Sequence, residues 1–361
     1  MGKLARDPFI LLLVFIPAGL LAELLHWSPL VVFILSAVAI VPLARWIGTA
    51  TEELATYVGP GIGGLLNATF GNATELIIAI FALRAGLVDV VKASITGSIL
   101  GNLLFVLGFA LFFGGLRREK QSFNATASGI GATQMTLAVI GLFIPAALYY
   151  TLTTPQPATR SFILEEFSLL VSGLLIAAYA SGLIFSLRTH KHLYMSNMED
   201  EGEIELSTRW SKQRSIVVLL AATIGVAVMS ELLVSSLEVA TKKLGWSDIF
   251  VGIVVIPIIG NAAEHVTAVT VAIKNKMDLA IGIAVGSSTQ VALLLAPLLV
   301  FISLLFNPHM NLLLTPFELV AVGLAVLIAN LITLDGESNW YEGALLLTVY
   351  GILGVAFYLY R

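Results

Sequence analysis

The chain has 361 residues, of which 58% are hydrophobic and only 12% are charged, and its mean hydropathy is +0.96. Soluble domains carry about 25% charged residues, so this composition excludes a water-soluble protein and indicates one that resides in the lipid bilayer. The net charge of -4 argues against a nucleic-acid partner. The sequence contains no cysteine, which excludes disulfides and thiolate metal sites.

Polar, Gly and Pro clusters divide the chain into eleven apolar segments. Each is long enough to cross a hydrocarbon core about 30 Å thick as a helix. Runs of this length exclude a membrane β-barrel, whose strands are short and alternate in polarity. The expected fold class is an all-α polytopic membrane protein with spans at 9–26, 29–58, 61–85, 89–115, 126–152, 162–187, 213–241, 247–273, 278–306, 315–334 and 340–360.

Lysine and arginine residues predict the orientation, because cytoplasmic loops are enriched in them. We call the face that holds the N-terminus side A and the opposite face side B. The eleven-span plan puts thirteen of the 19 Lys and Arg residues on side A and leaves on side B Arg84, Lys92, Arg160, Lys242, Lys243 and Arg361. The N-terminus is therefore expected in the cytoplasm and the C-terminus across the membrane.

The one long polar stretch divides the chain into halves. We predict an N-terminal transmembrane helix within 1–28, a first five-helix repeat at 29–187, a cytoplasmic acidic linker at 188–212 and a second repeat at 213–361. Cation sensing is one interpretation of the linker's carboxylates, although their spacing is not that of an EF-hand loop. A solvated charged linker is the other. The carboxylates are those of Glu199, Asp200, Glu201, Glu203 and Glu205.

A fixed offset of 189 residues relates the two halves. The third span then matches the eighth and the fourth matches the ninth, so matching spans are five apart and the second copy crosses the membrane in the opposite direction. In such inverted repeats the substrate binds where the copies meet, on helices interrupted by Gly or Pro. The offset pairs Gly71 with Gly260, Asn72 with Asn261, Ala73 with Ala262, Glu75 with Glu264, Asp89 with Asp278, Gly97 with Gly286 and Ser98 with Ser287.

Each repeat carries one Gly-Asn-Ala-x-Glu motif, ending at Glu75 in the first copy and at Glu264 in the second. A charged side chain within the bilayer costs about 3 kcal/mol or more, so such residues are functional candidates by default. Asn72 and Asn261 precede the glutamates by three residues and share their helical face. Carboxylate and amide oxygens are hard ligands suited to Ca²⁺, Mg²⁺ or Mn²⁺. Interhelical hydrogen bonding is the alternative, but it does not explain why the pair recurs.

The neighbouring spans add further oxygen ligands to the predicted cation site. Ser98 and Asn102 share one helical face, as do Ser287 and Gln290. The alternative is that these small polar residues let helices pack closely. The two serines are the stronger candidates because only they repeat.

Other polar residues allow two interpretations. Glu52 and Glu231 either form proton routes or face loops near the membrane surface. His265 has no counterpart in the first repeat. It is either an interior histidine without a role in transport or a residue that takes part in proton coupling. Asp89 and Asp278 each open a helix, where capping explains them.

Four motifs resemble those of the cation/proton exchangers of the Ca²⁺/cation antiporter superfamily, and the likeness extends over nearly the whole chain. Two are the glutamate motifs, and two follow them in the neighbouring spans. They are Asn67-Ala-Thr-Phe-Gly-Asn-Ala-Thr-Glu75, Gly97-Ser-Ile-Leu-Gly-Asn102, Gly260-Asn-Ala-Ala-Glu-His265 and Gly286-Ser-Ser-Thr-Gln290.

The resemblance implies export of Ca²⁺ in exchange for protons, with Glu75 and Glu264 at the centre and no cofactor beyond the transported ions. A Na⁺/Ca²⁺ exchanger of the same superfamily and a cation channel are the alternatives. An enzyme is disfavoured, since no nucleophile and base stand at a recognisable spacing. A microbial cell membrane is the expected location and a vacuolar membrane the alternative. The sequence leaves the oligomeric state open, including a homo-oligomer.

Overall fold

The computed structural model describes residues 9–152, 157–190 and 210–360. The predicted cation-sensing carboxylates at 199–205 lie outside these ranges. Apolar helices dominate, joined by short connections. The helices are α1 (Phe9–Leu24), α2 (Pro29–Phe70), α3 (Ala73–Arg84), α4 (Val88–Gly115), α5 (Ala125–Thr151), α6 (Pro157–Ile184, continued by a π-helical turn Phe185–Thr189), α7 (Lys212–Leu244), α8 (Asp248–Gly260), α9 (Ala262–Ile273), α10 (Met277–Ser303), α11 (Pro316–Ile332) and α12 (Trp340–Leu359).

The length and polarity of these helices confirm a helical membrane protein. Seven helices of the described chain are long and apolar enough to cross a membrane, and an eighth crossing is formed if α8 and α9, bent by 62° at their junction, act as one span. The helices α1 and α11 are apolar but shorter. The count of eleven crossings stays a prediction.

The structure differs from the sequence-based plan between the second and third predicted spans, where α2 runs for 42 residues without a loop. The helix turns sharply instead, because a Cβ added at Gly63 would lie only 3.0 Å from the Cβ of Ala55. Eight residues of straight helix would separate these positions by about 12 Å. Pro60 lies between them, and proline inside a helix removes a hydrogen bond and kinks the axis. The predicted boundary is therefore a bend.

The offset found in the sequence reappears in the local structure. Helices α3 and α9 have 12 residues each and begin and end 189 positions apart. Helices α4 and α10 also begin 189 positions apart, and each passes into a π-helical turn, Gly101–Val106 in the first half and Val291–Leu295 in the second. The predicted domain boundaries and the inverted orientation stay predictions.

Contacts between helix ends fall into two sets, which match the predicted faces. On side A the short strands β1 (Gln121–Ser122) and β2 (Glu337–Ser338) pair, and hydrogen bonds join Tyr57 to Trp210, Gln121 to Asn275 and Asn124 to Asp278. On side B hydrogen bonds and ion pairs join Lys92 to Asn311, Glu165 to His309 and Arg84 to Glu231.

The apolar core has two parts. One surrounds α4 and α10, and the other lies between α2 and α7, which pack along each other. The helix junctions that carry the two glutamate motifs stand between these parts, because their residues contribute to both.

Candidate ion-binding site

The chain breaks its helical path at the same point in both halves, and each break precedes a glutamate. Asn72 stands between α2 and α3 with φ -101° and ψ 25°, and Asn261 stands between α8 and α9 with φ -96° and ψ 8°. Glu75 and Glu264 therefore lie in the first turn of a helix. The positive end of the helix dipole stabilises a carboxylate there.

The two glutamates come together from different halves. A Cβ added at Gly260 would lie 3.0 Å from the Cγ of Glu75, so the Glu75 side chain packs against the end of α8, just before Glu264. Glu75 is 6% exposed, and its carboxylate interacts electrostatically with that of Glu264.

Several buried oxygens at this junction have no hydrogen-bond donor within the described part of the chain. They are both carboxylate oxygens of Glu75, the Oε2 of Glu264, and the Oδ1 atoms of Asn102 and Asn261. Buried polar atoms almost always have a partner, so a group of unpaired acceptors is a place for a proton, a water molecule or a cation. Among the described residues no cluster of three or more His, Cys, Asp or Glu side chains could hold a metal, so a cation here depends on amide and hydroxyl oxygens as well as two carboxylates.

Hydrogen bonds link the asparagines of each half to the serines of the other. The Ser287 hydroxyl donates to Oδ1 of Asn72 at 3.1 Å, and Nδ2 of Asn261 donates to the Ser98 hydroxyl at 3.3 Å. The offset of 189 relates these two pairs to each other. Their polarity differs, however, since the carboxamide oxygen is used in one pair and the nitrogen in the other.

Two more amides complete this network. Asn102 donates from Nδ2 to the Ser287 hydroxyl at 3.0 Å, and Asn72 donates from Nδ2 to Oε1 of Gln290 at 2.7 Å. The structure thus brings together all eight residues that the sequence predicted as cation ligands: Glu75, Glu264, Asn72, Asn261, Ser98, Ser287, Gln290 and Asn102.

A cavity of about 1220 Å³ leads to this network from side A. Its outer part is lined by Asn124, Lys276 and Asp278 and its inner part by Glu264 and Ser287. The cavity lining does not include Glu75. The two glutamates are therefore equivalent in sequence but differ in access.

The structure separates the three residues assigned more weakly to proton coupling. Glu52 lines the cavity together with Arg45. Glu231 is exposed on the opposite face and pairs with Arg84 at 3.7 Å, so it lies outside the cavity. His265 packs its ring against Phe105 at a centroid distance of 5.6 Å and also lies outside the cavity lining.

Asp278 has a structural partner. Its Oδ1 accepts a hydrogen bond of 2.6 Å from the backbone nitrogen of Asn124, at the start of α5. Its side chain therefore supports the beginning of a neighbouring helix. The capping predicted for its own helix is not seen, because the N-cap residue is Lys276 and no side-chain hydrogen bond caps this end.

Three polar residues near the site were missed by the sequence analysis. Arg45 and Gln134 line the cavity. Tyr179 is buried in α6 and hydrogen-bonds with Gln290. Each is a polar residue inside an apolar span, which the sequence does show. Only the tertiary packing shows which of these polar side chains face the site.

Adjacent serines of α10 provide a direct test of the network. Replacing Ser287 by alanine removes the donor to Asn72 and the acceptor for Asn102, and a buried polar group left unpaired costs about 1–3 kcal/mol. We expect Ser287→Ala to raise the cation concentration needed for half-maximal transport by about tenfold. Ser288 is the matched control, because it is also buried but, among the described residues, its hydroxyl bonds only to the carbonyl oxygen of Ala284 in its own helix. Equal effects of the two substitutions would contradict a role for the network in cation binding.

Comparisons with known proteins show the family of the chain. The model of the family described as "Sodium/calcium exchanger protein" matches residues 28–188 and 214–359. Similar proteins include the "Ca(2+)/H(+) antiporter" of Synechocystis, 51% identical over 97% of this chain and 96% of that protein, and the "Vacuolar calcium ion transporter" of Schizosaccharomyces pombe, 40% identical over 98% and 85%. The solved structure of native YfkE superimposes with a TM-score of 0.83 at 40% identity, covering 97% of this chain and 99% of that one. The chain is an integral membrane protein and belongs to the sodium/calcium exchanger protein family.

Proposed function

We propose that the protein is a secondary active antiporter that exports Ca²⁺ from the cytosol in exchange for protons, and that it is a transporter rather than an enzyme. The observation that carries this proposal is the group of buried oxygens without donors around Glu75 and Glu264. The relatives named as Ca²⁺/H⁺ antiporters and calcium transporters favour Ca²⁺ among the hard cations.

Coupling arises because Ca²⁺ and protons compete for the same two carboxylates. Burial and repulsion between neighbouring carboxylates favour protonation, whereas a bound divalent cation favours ionisation. The site therefore holds either one Ca²⁺ on ionised Glu75 and Glu264 or protons on both. Either form carries less uncompensated charge than the empty ionised site, so either can change its access across the membrane at lower cost.

The asymmetry of the cavity supports alternating access. The cavity joins side A to Glu264, while Glu75 is shielded from it. Because lysine and arginine residues concentrate on side A, we take this face as cytoplasmic and the structure as an inward-open form. In the outward-open form the inverted repeats exchange roles, so that the route opens on side B.

Transport in proteoliposomes with the two driving gradients imposed separately tests this function. The purified full-length protein should take up ⁴⁵Ca²⁺ when a pH gradient is imposed and not when only a Na⁺ gradient is imposed. Uptake driven by Na⁺ alone would establish the alternative, Na⁺/Ca²⁺ exchange. A Ca²⁺ flux that runs down the Ca²⁺ gradient and moves no protons would establish a channel.

The relatives indicate two membranes in which the protein could reside. The relative from Synechocystis suggests the cell membrane. The relative from Schizosaccharomyces pombe is named as vacuolar, so the vacuolar membrane is the alternative. The excess of lysine and arginine residues on side A predicts in either case that this face meets the cytosol.

A further inference from the structure

The hydrogen bonds of the ion site form a chain that runs in one direction. Nδ2 of Asn102 donates to the hydroxyl of Ser287 at 3.0 Å, and this hydroxyl donates to Oδ1 of Asn72 at 3.1 Å. Nδ2 of Asn72 then donates to Oε1 of Gln290 at 2.7 Å. The chain therefore begins at Asn102, whose Oδ1 is buried without a donor among the described residues, and its last acceptor is Gln290.

The carboxamide of Gln290 decides this direction, because it is the last acceptor. A carboxamide accepts only through its oxygen and donates only through its nitrogen. If Gln290 presented Nε2 instead, Asn72 would have to turn and donate to Ser287. The Ser287 hydroxyl would then donate to Asn102, and the oxygen of Asn102 would be used inside the chain instead of being available to a cation.

Tyr179 holds Gln290 from outside the cavity. Tyr179 is 7% exposed in α6, which packs against the π-helical turn that follows Gln290, and it hydrogen-bonds with Gln290. Gln290 itself lines the cavity, and its Oε1 lies 3.4 Å from the position of a Cβ added at Gly71. Because that oxygen already accepts from Asn72, we assign Nε2 as the donor to the Tyr179 hydroxyl. Within the described part of the chain, Asn72 and Tyr179 are the hydrogen-bond partners of this side chain.

The second half of the molecule lacks this arrangement. The offset of 189 relates Gln290 to Gly101, which has no side chain, and no atom of the described chain lies within 4 Å of a Cβ added there. Asn261 is the equivalent of Asn72, and its Oδ1 has no donor among the described residues. A comparison of the two repeats therefore does not reveal the hydrogen bond to Tyr179.

We propose that Tyr179 is a positioning residue of the ion site. It holds the Gln290 carboxamide with its oxygen towards Asn72, and the direction of the chain then leaves the oxygen of Asn102 available to a cation. Without the Tyr179 hydroxyl, Nε2 of Gln290 has no partner in α6, and the side chain turns into the cavity, where water solvates it. Asn72 then loses its acceptor and the chain loses its direction. This inference rests on the proposed cation site, but it does not depend on which ion drives transport.

Binding of Ca²⁺ to the purified full-length protein in detergent tests this inference without transport. Bound Ca²⁺ raises the apparent Tm, and the dependence of the Tm on Ca²⁺ concentration at one fixed pH gives the Kd. Tyr179→Phe removes the hydroxyl and keeps the ring. We expect the Kd for Ca²⁺ to rise by about three- to tenfold, which is the effect of losing one neutral hydrogen bond. The Tm without Ca²⁺ should stay close to the wild-type value.

A second substitution separates positioning from packing. Gln290→Ala removes the side chain through which Tyr179 acts, so adding Tyr179→Phe to Gln290→Ala should change the Kd by less than about twofold. The same rise in both backgrounds would overturn the proposal, because the hydroxyl would then act by another route. An unchanged Kd in Tyr179→Phe alone would also overturn it. So would a fall of several degrees in the Ca²⁺-free Tm of Tyr179→Phe, which would make Tyr179 a residue of the fold.

Tyr350→Phe is the matched control. Tyr350 is also a tyrosine inside an apolar span, packs against Phe105 at a centroid distance of 5.0 Å and lies outside the cavity lining, so this substitution should leave the Kd unchanged. An equal rise of the Kd in Tyr350→Phe would contradict the proposal.

The proposed function can fail separately. If the substitutions change the Kd as expected but the wild-type protein takes up no Ca²⁺ under a pH gradient, proton-driven export alone is refuted. If the wild-type protein takes up Ca²⁺ under a pH gradient but Tyr179→Phe binds it normally, the role of Tyr179 alone is refuted. Wild-type protein that binds no Ca²⁺ would refute both.

Discussion

Replacing either Glu75 or Glu264 by glutamine is expected to abolish Ca²⁺ uptake driven by a pH gradient. Glutamine retains the size of the side chain but has neither the negative charge for Ca²⁺ nor a carboxylate to protonate. Removing one partner of a buried pair of opposite charges costs about 3–5 kcal/mol, and for a carboxylate and a bound Ca²⁺ this corresponds to a loss of affinity of about 100-fold or more. Uptake of ⁴⁵Ca²⁺ into proteoliposomes, measured over a range of Ca²⁺ concentrations, would detect the loss.

Glu231→Gln is the control for this experiment. Glu231 belongs to the same set of acidic residues within the spans, but it is exposed and paired with Arg84 outside the cavity. Exposed ion pairs contribute about 0–1 kcal/mol, so this substitution should leave uptake nearly unchanged. Full activity of the double variant Glu75→Gln, Glu264→Gln would refute the competition mechanism. A strong loss of Ca²⁺ uptake in Glu231→Gln would instead support a proton route through α7.

The second large effect is expected at Gly97, where α4 crosses α8. A Cβ at this position would collide with the backbone of Ile253, including its carbonyl oxygen, and backbone atoms cannot rotate aside. Overpacking of this kind typically costs about 1–3 kcal/mol and more when the backbone must shift. We expect Gly97→Ala to lower the apparent Tm of the purified protein in detergent by several degrees and to reduce transport.

Gly286 provides a control of the same residue type in the equivalent place. No atom in the described part of the chain lies within 4 Å of a Cβ added there, and Gly286 lines the cavity. Gly286→Ala should therefore change the apparent Tm little, since substitutions without new contacts usually stay within about 0.5 kcal/mol. Equal destabilisation by both substitutions would mean that α10 is as tightly packed as α4, which contradicts the open cavity.

Much of the site could be predicted because its residues repeat. Polar identities at a constant offset within apolar spans mark residues that packing alone does not require, and they led to Asn72, Glu75, Ser98 and their equivalents. The family resemblance added the ions, which neither spacing nor composition provides. Their roles as ligands remain part of the proposal.

Some features could not be predicted from local patterns. The Gly and Pro residues near position 60 predicted the end of a span, and a span does end at Val58, but the chain bends there within continuous helix and has no loop. Glu52 and Glu231 were equivalent candidates, yet only Glu52 lines the cavity. Which way a polar side chain faces depends on the helix that packs against it, and a single sequence does not specify that neighbour.

The sequence by itself determined that the chain lies in a membrane, that it is a duplication, and which oxygen-bearing residues share helical faces. These properties follow from hydropathy and spacing, which are local. Only the tertiary structure decided that the two halves differ, with Gly97 packed and Gly286 open, and with Lys92 bonded on side B opposite a cavity on side A. The reason is that related sequences meet different neighbours: α4 packs against the backbone of α8 at Gly97, whereas α10 borders the cavity at Gly286.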